Sequence, residues 1–377
     1  MTEKMQFTLT RDPVTKAEQA LFAADLAELG LDGTVWHVWN MVLQTKGRNV
    51  WPLLLRGFIN GRLSGIALIE HCRKTGNSLF ANKLLAFLVD NPSLPIFYWE
   101  RSSLLSDCHA NPGFIAPGIA RPIFVQQALT YLQRRYWQGC VIDFADTAGG
   151  KNYVAIPFLK AGRIELTGIT MSDQLYAGSK NLRRKIRKFA NKGGTITVAR
   201  GALSAEVQTA VLSCFRSNPL NLPGPFQDNY ENMVRTSLNT PNPHIVHFIT
   251  QMEGEIIGYH TFAISGQRLI CLSGAFDRNR HTTFHAYENL FLATIDFALA
   301  EGLSSIETGP IINATKAKMV PTQHPVEARF YSRFAPVRQM LPFILRHSRL
   351  TSTIITNLLN PTDTLETAVM SPMRSGD

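Results

Sequence analysis

The chain has 377 residues, 45% of them hydrophobic and 18% charged, which is too apolar for a disordered protein and long enough for two domains. Its net charge of +10 is concentrated: residues 173–192 hold seven basic groups against Asp173 alone, and residues 316–349 hold seven against Glu327 alone, so the remainder is slightly acidic. That distribution argues for local anion sites and against a general nucleic-acid coat.

In chain order, an amphipathic helix is predicted over about Lys16 to Leu29. Residues 50–72, "VWPLLLRGFINGRLSGIALIEHC", put two apolar runs on either side of Asn60-Gly61, a dipeptide suited to a tight hairpin turn. A strand follows at "PIFYWE" (95–100), then a Gly/Pro-rich loop (111–122), a helix near Phe124 to Tyr136 and a strand in "GCVIDFAD" (139–146). In "SKNLRRKIRKFANKGG" (179–194), Leu182, Ile186 and Phe189 form one apolar stripe of a helix. Ser179 is suited to cap that helix, and Gly193-Gly194 to end it in a left-handed turn. Arg183, Arg184, Arg187 and Lys188 lie on its other faces, unrelieved by any acid, as a solvated face or a phosphate site would have them.

Residues 244–277 then read as three strands, the first two joined at Glu253-Gly254. A helix spans about Thr283 to Ala300, with Phe284, Tyr287, Phe291, Ile295 and Ala298 on one stripe, and Gly302 precedes a strand in "SSIETG". Hairpin, strand, helix, strand thus occurs twice. The fold expected is α/β, with two related lobes of mixed sheet flanked by helices at 1–165 and 166–350, followed by a tail at 351–377.

Five cysteines (Cys72, Cys108, Cys140, Cys214, Cys271), odd in number and without a CxxC pair, signal neither a zinc ribbon nor a disulfide framework. Reduced thiols in a cytoplasmic protein are expected. The start lacks the apolar core of a secretory signal, and apolar runs such as "LLAFLV" (84–89) are too short for a membrane span.

The order of basic helix, helix, three-stranded meander, "GAFD", long helix, "IETG" and a following lysine resembles the tandem GNAT-fold acyltransferases, the BioF2-like and FemAB-like proteins. The resemblance covers about 172–320 well and the first lobe only through its order of elements. It implies transfer of an acyl or aminoacyl group to a small-molecule or peptide amine. It further implies a donor site between two splayed central strands, with the next helix aiming its N-terminus at a phosphate. Mapped here, the donor strand is about Leu269 to Ala275 and the helix begins near Thr282. The glycine-rich loop usual for acetyl-CoA is replaced by "DRNRHTTFHAYEN", which has no glycine. The FemAB-like branch, which also lacks that loop, draws its donor from aminoacyl-tRNA, so the resemblance leaves both donors open, acyl-CoA as the first expectation and aminoacyl-tRNA as the alternative.

Amide formation needs a neutral amine and a stabilised oxyanion. The resemblance points to Asp277 at the end of "GAFD" as the amine contact, though a turn-capping aspartate looks the same. Tyr287 is suited to donate a proton to the leaving group, or else to pack in the core. Glu307 stands in the last strand before "TGP", where strand ends gather ligand groups. Lys316 matches the lysine that follows the final strand in the family pattern, with Lys318 as the register alternative; its charge suits a phosphate or the oxyanion. Arg183, Arg184, Arg187, Arg278 and Arg280 are the candidate phosphate ligands, and Arg329 and Tyr331 are expected to close over the same region.

No metal is expected. His281 and His285 in "HTTFH" are one turn apart but lack the Glu of HExxH and a third ligand. "GPIINATK" has Ala314 and Thr315 where a phosphate loop needs Gly and Lys. A reading of another class, a non-enzymatic protein lying on anionic lipid through its basic, apolar segment at 335–360, is weakened by Pro336 and Pro342.

Overall fold

The structure is a computed structural model, which describes residues 4–11, 20, 24, 50–72, 96–100, 114–115, 121–136, 138–144, 153–166, 180–217, 224–277, 285–310, 314–320, 322–333, 335–336 and 339. In the first half β1 (Gln6–Arg11), β2 (Val50–Ile59), β3 (Arg62–Cys72), β4 (Ile96–Glu100), β5 (Phe114–Ile115), α1 (Arg121–Arg135), β6 (Gln138–Phe144) and β7 (Tyr153–Glu165) follow one another. The second half runs α2 (Lys180–Asn191), β8 (Gly194–Arg200), α3 (Ala205–Ser217), α4 (Gly224–Asn239), β9 (Ile245–Met252), β10 (Glu255–Ser265), β11 (Arg268–Phe276), α5 (Ala286–Ala300), β12 (Ser305–Pro310), α6 (Ala314–Met319) and β13 (Thr322–Ser332). Of the helix expected at Lys16–Leu29 only residues 20 and 24 are described, both of them helical, and the rest lies outside the described residues.

Local chemistry accounts for the turns. Asn60 and Gly61 both take positive φ, 50° and 78°, the backbone a two-residue hairpin needs, and Glu253-Gly254 repeats it at 53° and 83°. Gly193, at φ 71°, ends α2 as a left-handed cap. Gly194 is required for a different reason: a Cβ there would come within 2.5 Å of the Phe189 ring, the residue by which α2 is buried.

All the strands form a single mixed sheet, ordered β1-β2-β3-β4-β6-β13-β7-β12-β11-β10-β9-β8, with β5 beside β3. The two lobes are related within it. In each, three antiparallel strands lead to a parallel pair, β4 with β6 and β11 with β12. The inner strand of each parallel pair then meets an antiparallel strand supplied by the other half of the sequence, β6 meeting β13 and β12 meeting β7. β7 and β13 join one another at the centre over a long antiparallel ladder. The sequence reading did not anticipate these two central strands, although they weld the lobes together.

Each lobe buries one helix on the sheet. Phe124, Val125, Ala128 and Leu132 of α1 pack on Leu53, Leu55, Ala67 and Ile69. Leu290, Phe291, Ile295 and Ala298 of α5 pack on Phe248, Phe262, Leu269, Phe276 and Ile306. α3 and α4 cover the opposite face of the second lobe, over Tyr259 and Ala275.

On that second face His247 is buried, with Nδ1 3.0 Å from the Thr261 hydroxyl and Nε2 3.0 Å from the Gly201 carbonyl oxygen. A neutral ring donating from Nε2 and accepting at Nδ1 satisfies both contacts. Burial drives its pKa from 6.5 down to about 4. The unfolded chain therefore takes up the proton first, and stability is lost as pH falls from 6.5 towards 4. The loss expected from this residue is about 3 kcal/mol. Urea midpoints at pH 7 and pH 4.5 measure it; a His247→Gln protein should show a visibly flatter pH dependence than the wild type.

Candidate active site

β11 and β12 begin side by side and then part. Their parallel pairing comprises Arg268–Ser305, Leu269–Ile306 and Ile270–Glu307, and goes no further. β11 continues to Phe276 on β10 alone, while β12 passes a bulge between Glu307 and Gly309 and follows β7. The edge of β11 from Cys271 to Phe276 therefore keeps its outward main-chain groups unpaired with β12. Strand rise makes that edge roughly 20 Å long. In the first lobe β4 and β6 stay paired from Ile96–Gln138 to Glu100–Ile142, so the parting belongs to the second lobe.

Exposure follows the parting. Cys271, Gly274 and Asp277 on β11, with His260 on β10 and Tyr287 on α5, are half-buried, while Leu272, Ser273, Ala275 and Phe276 are buried. Two glycines shape this floor. A Cβ on Gly274 would lie 2.0 Å from Cδ2 of His260, and one on Gly258 would lie 2.3 Å from Cδ1 of Phe276. The His260 ring meets Phe262, Phe276 and Tyr287 edge-on at 5.8, 5.5 and 5.8 Å, and Tyr287 stacks on Phe291 at 6.1 Å. His260 Nδ1 and Tyr287 Oη are buried without a hydrogen-bond partner among the described residues.

Lys316 comes from α6, which folds back beside β12; its buried ammonium donates to the Thr308 carbonyl oxygen. Thr308 in turn donates its hydroxyl to the Gly162 carbonyl at 3.1 Å, fixing β12 to β7. Burial, together with the Lys316 charge across the groove, depresses the His260 pKa to about 3, so its ring is neutral. Burial likewise raises the Tyr287 phenol far above its usual range, so it keeps its proton. His260 is the groove residue missed in the sequence, where it reads as one more alternating strand position. The available signal was the pairing of "GYH" in one strand with "SGAF" in the next, since two glycines facing large rings leave room for them.

Asp277 follows β11 and its N–H bonds the Ile257 carbonyl at 2.8 Å, which puts it at the mouth of the groove. Tyr287 is the second residue of α5, because the helix starts at Ala286, not near Thr283, after His285 takes left-handed backbone at φ 58°. His285 makes no side-chain cap bond, so among the described residues no N-cap side chain takes up the first amides of α5. α2 stands beside this helix end: Lys185 meets Glu288 at 2.5 Å, and Arg184, Lys185 and Lys188 all bear on His285, whose pKa is lowered chiefly by burial. Arg183, Arg184 and Arg187 are exposed, with no carboxylate in ion-pair reach among the described residues. Arg278 and Arg280 lie outside the described residues, and Lys318 is known only by its backbone in α6.

Glu307 sits where the strands part, on the face away from α5. Burial raises its pKa against the pull of Arg163 and Arg268, and Arg163 Nε lies 3.5 Å from its carboxylate. Arg329 and Tyr331 turn instead to the first lobe. Arg329 is buried on Glu327 at 3.2 Å, and Tyr331 donates to the Gln133 carbonyl in α1 at 3.3 Å. Among the described residues no three of His, Cys, Asp and Glu gather as a metal-ligand set, and no helix is long and apolar enough to cross a membrane. Most of the 335–360 segment lies outside the described residues.

Gly274→Ala tests the floor directly. The new methyl cannot share space with the His260 ring, so the ring must move, at a cost of about 1–3 kcal/mol. The expected result is a folded protein with a lower melting temperature and weakened donor binding; wild-type stability would mean that the ring is not held over Gly274.

The parted parallel pair, the N-terminal end of α5 beyond it and the cations of α2 all come from one stretch of the chain. Residues 177–317 match the family of the acetyltransferase (GNAT) domain. Over nearly its whole length the chain is similar to two solved structures. L-PGS from Bacillus licheniformis is 12% identical, with 91% of this chain and 97% of that one covered at a TM-score of 0.51. FemX is 11% identical, with 89% and 99% covered at 0.52. No curated protein matches the chain. Residues 177–317 thus match a GNAT acetyltransferase domain, and the fold of the chain is like that of FemX.

Proposed function

We propose that the enzyme moves an acyl group from acyl-CoA to an amine by direct attack within a ternary complex. The observation that carries this reading is the parting of β11 from β12, with the buried Lys316 ammonium held on Thr308 of β12 just beyond the point where they separate. The free edge of β11 suits an extended pantetheine arm. Its mouth opens on the α5 N-terminus, where the first amides and the α2 cations favour a pyrophosphate. The amine lone pair attacks the thioester carbonyl to form the C–N bond. Lys316 stabilises the oxyanion, and the C–S bond breaks as the Tyr287 hydroxyl, keeping its proton, donates a hydrogen bond to the departing thiolate, which is then protonated by water. We assign the amine and its proton to Glu307, which is at the vertex, and Asp277 to the donor's phosphate end.

Cys271 offers a direct test, being half-buried at the first position of β11 past its pairing with β12, while Cys214 is buried. Saturating acyl-CoA should slow alkylation of Cys271 by about tenfold or more. Tight binding that leaves its alkylation rate unchanged would put the donor elsewhere.

One observation favours aminoacyl-tRNA as the donor instead: Arg183, Arg184 and Arg187 point outward without carboxylate partners among the described residues, more charge than a single pyrophosphate uses. Charged tRNA bound through several phosphates should weaken steeply with salt. Filter binding that finds no tRNA affinity at low salt disposes of this alternative.

A further inference from the structure

The face of the sheet away from α5 carries a charged patch whose layout follows from register. Glu165, Ser305 and Arg268 lie in one row across β7, β12 and β11, and Arg163, Glu307 and Ile270 lie in the next. Arg163 Nε meets Glu165 at 2.7 Å and Glu307 at 3.5 Å, and its Nη2 is 3.5 Å from the buried Ser305 hydroxyl. Arg268 is half-buried and has no carboxylate within ion-pair distance among the described residues. Its Cα is about 8 Å from that of Glu307, from one strand spacing and two residues of rise.

Two features of this patch are unusual for a structural ion network. The Glu307 side chain keeps only 12% of its surface exposed and shares its one ion-pairing cation with the more solvated Glu165. A buried carboxylate compensated in this way gains from a further cation. Arg268, on the same face, acts on Glu307 electrostatically but makes no ion pair with a carboxylate among the described residues. Glu307 also marks the point where the sheet opens, being the last residue of β12 paired with β11.

We propose that this patch is the acceptor site and that the acceptor is an α-amino acid or a close relative, its ammonium on Glu307 and its carboxylate on Arg268. The inference rests on the acyl-transfer reading of the same groove and adds the class of acceptor. Arg163 holds the Glu307 carboxylate in place as a positioning residue. Because β7 supplies Arg163, both halves of the sequence build the site.

The test is calorimetry on the full chain with free α-amino acids, their α-amides and their N-acetyl forms. Removing either charge from the ligand should weaken binding by at least about tenfold, the worth of one charged contact. Arg268→Met should abolish the preference for the free acid over the amide while leaving amide binding unchanged. Glu307→Gln should abolish the preference for the free amine over the N-acetyl form. Amides binding as well as acids, an unchanged preference in Arg268→Met, or no binding by any free amino acid would each overturn the proposal. Acyl-CoA binding is measured beside it. If acyl-CoA protects Cys271 while no amino acid binds, only this inference falls; if amino acids bind as expected while neither acyl-CoA nor tRNA does, only the donor reading falls.

Discussion

Replacing Lys316 by methionine is expected to lower kcat by roughly 10²–10³-fold in a protein that still folds, the usual loss when one preorganised oxyanion donor is removed. Methionine fills the volume of the lysine stem and deletes only the charge. The Thr308 carbonyl then loses its donor, at a stability cost of about 1–3 kcal/mol. A second readout separates a charged role from a packing role. Lys316 is one of the two causes that depress His260, so removing the cation should raise the His260 pKa, seen by NMR titration of the ring. Turnover equal to wild type would remove Lys316 from the mechanism. A lost turnover with an unmoved His260 would mean that the ammonium does not face the groove.

Cutting the chain between its two halves is expected to have the largest effect on folding. Residues 166–377 contain the whole parted groove and the matched domain, but they lack β7. β12 would lose its only partner beyond Glu307, and β13 would lose β7 on one edge and β6 on the other. β12 and β13, the strands on either side of the missing β7, would then present bare main-chain groups, a template for aggregation. The 166–377 fragment should be insoluble or unfold without a cooperative transition, whereas co-expression with residues 1–165 should return soluble protein. A monomeric fragment with a sharp melting transition would show that the crossing of β7 and β13 is not needed for the fold.

The hairpins at Asn60-Gly61 and Glu253-Gly254, the basic helix with its Phe189 anchor and the α5 stripe were all legible in the sequence. Each is set by chemistry within a few residues: a positive φ at a turn, an apolar period of 3.6, a glycine cap. Lys316 and Tyr287 were legible as candidates because they stand at fixed offsets from such elements. The crossing of β7 and β13 was not, because it pairs segments well over a hundred residues apart, and an apolar run carries no mark of the partner it will hydrogen-bond. His260 shows the same limit at one residue. Its place in the groove depends on Gly274 on the neighbouring strand and on Lys316 beyond β12, and neither lies within a local window.

By itself, then, the sequence determined the local elements, their twofold recurrence and the concentration of cations beside the second lobe, since all of these follow from short-range propensity and charge. Only the tertiary structure decided which strands part, which face Glu307 takes and that the first half supplies Arg163 to the second half's site. Those outcomes depend on register across the sheet, where one step of pairing turns a side chain from one face to the other.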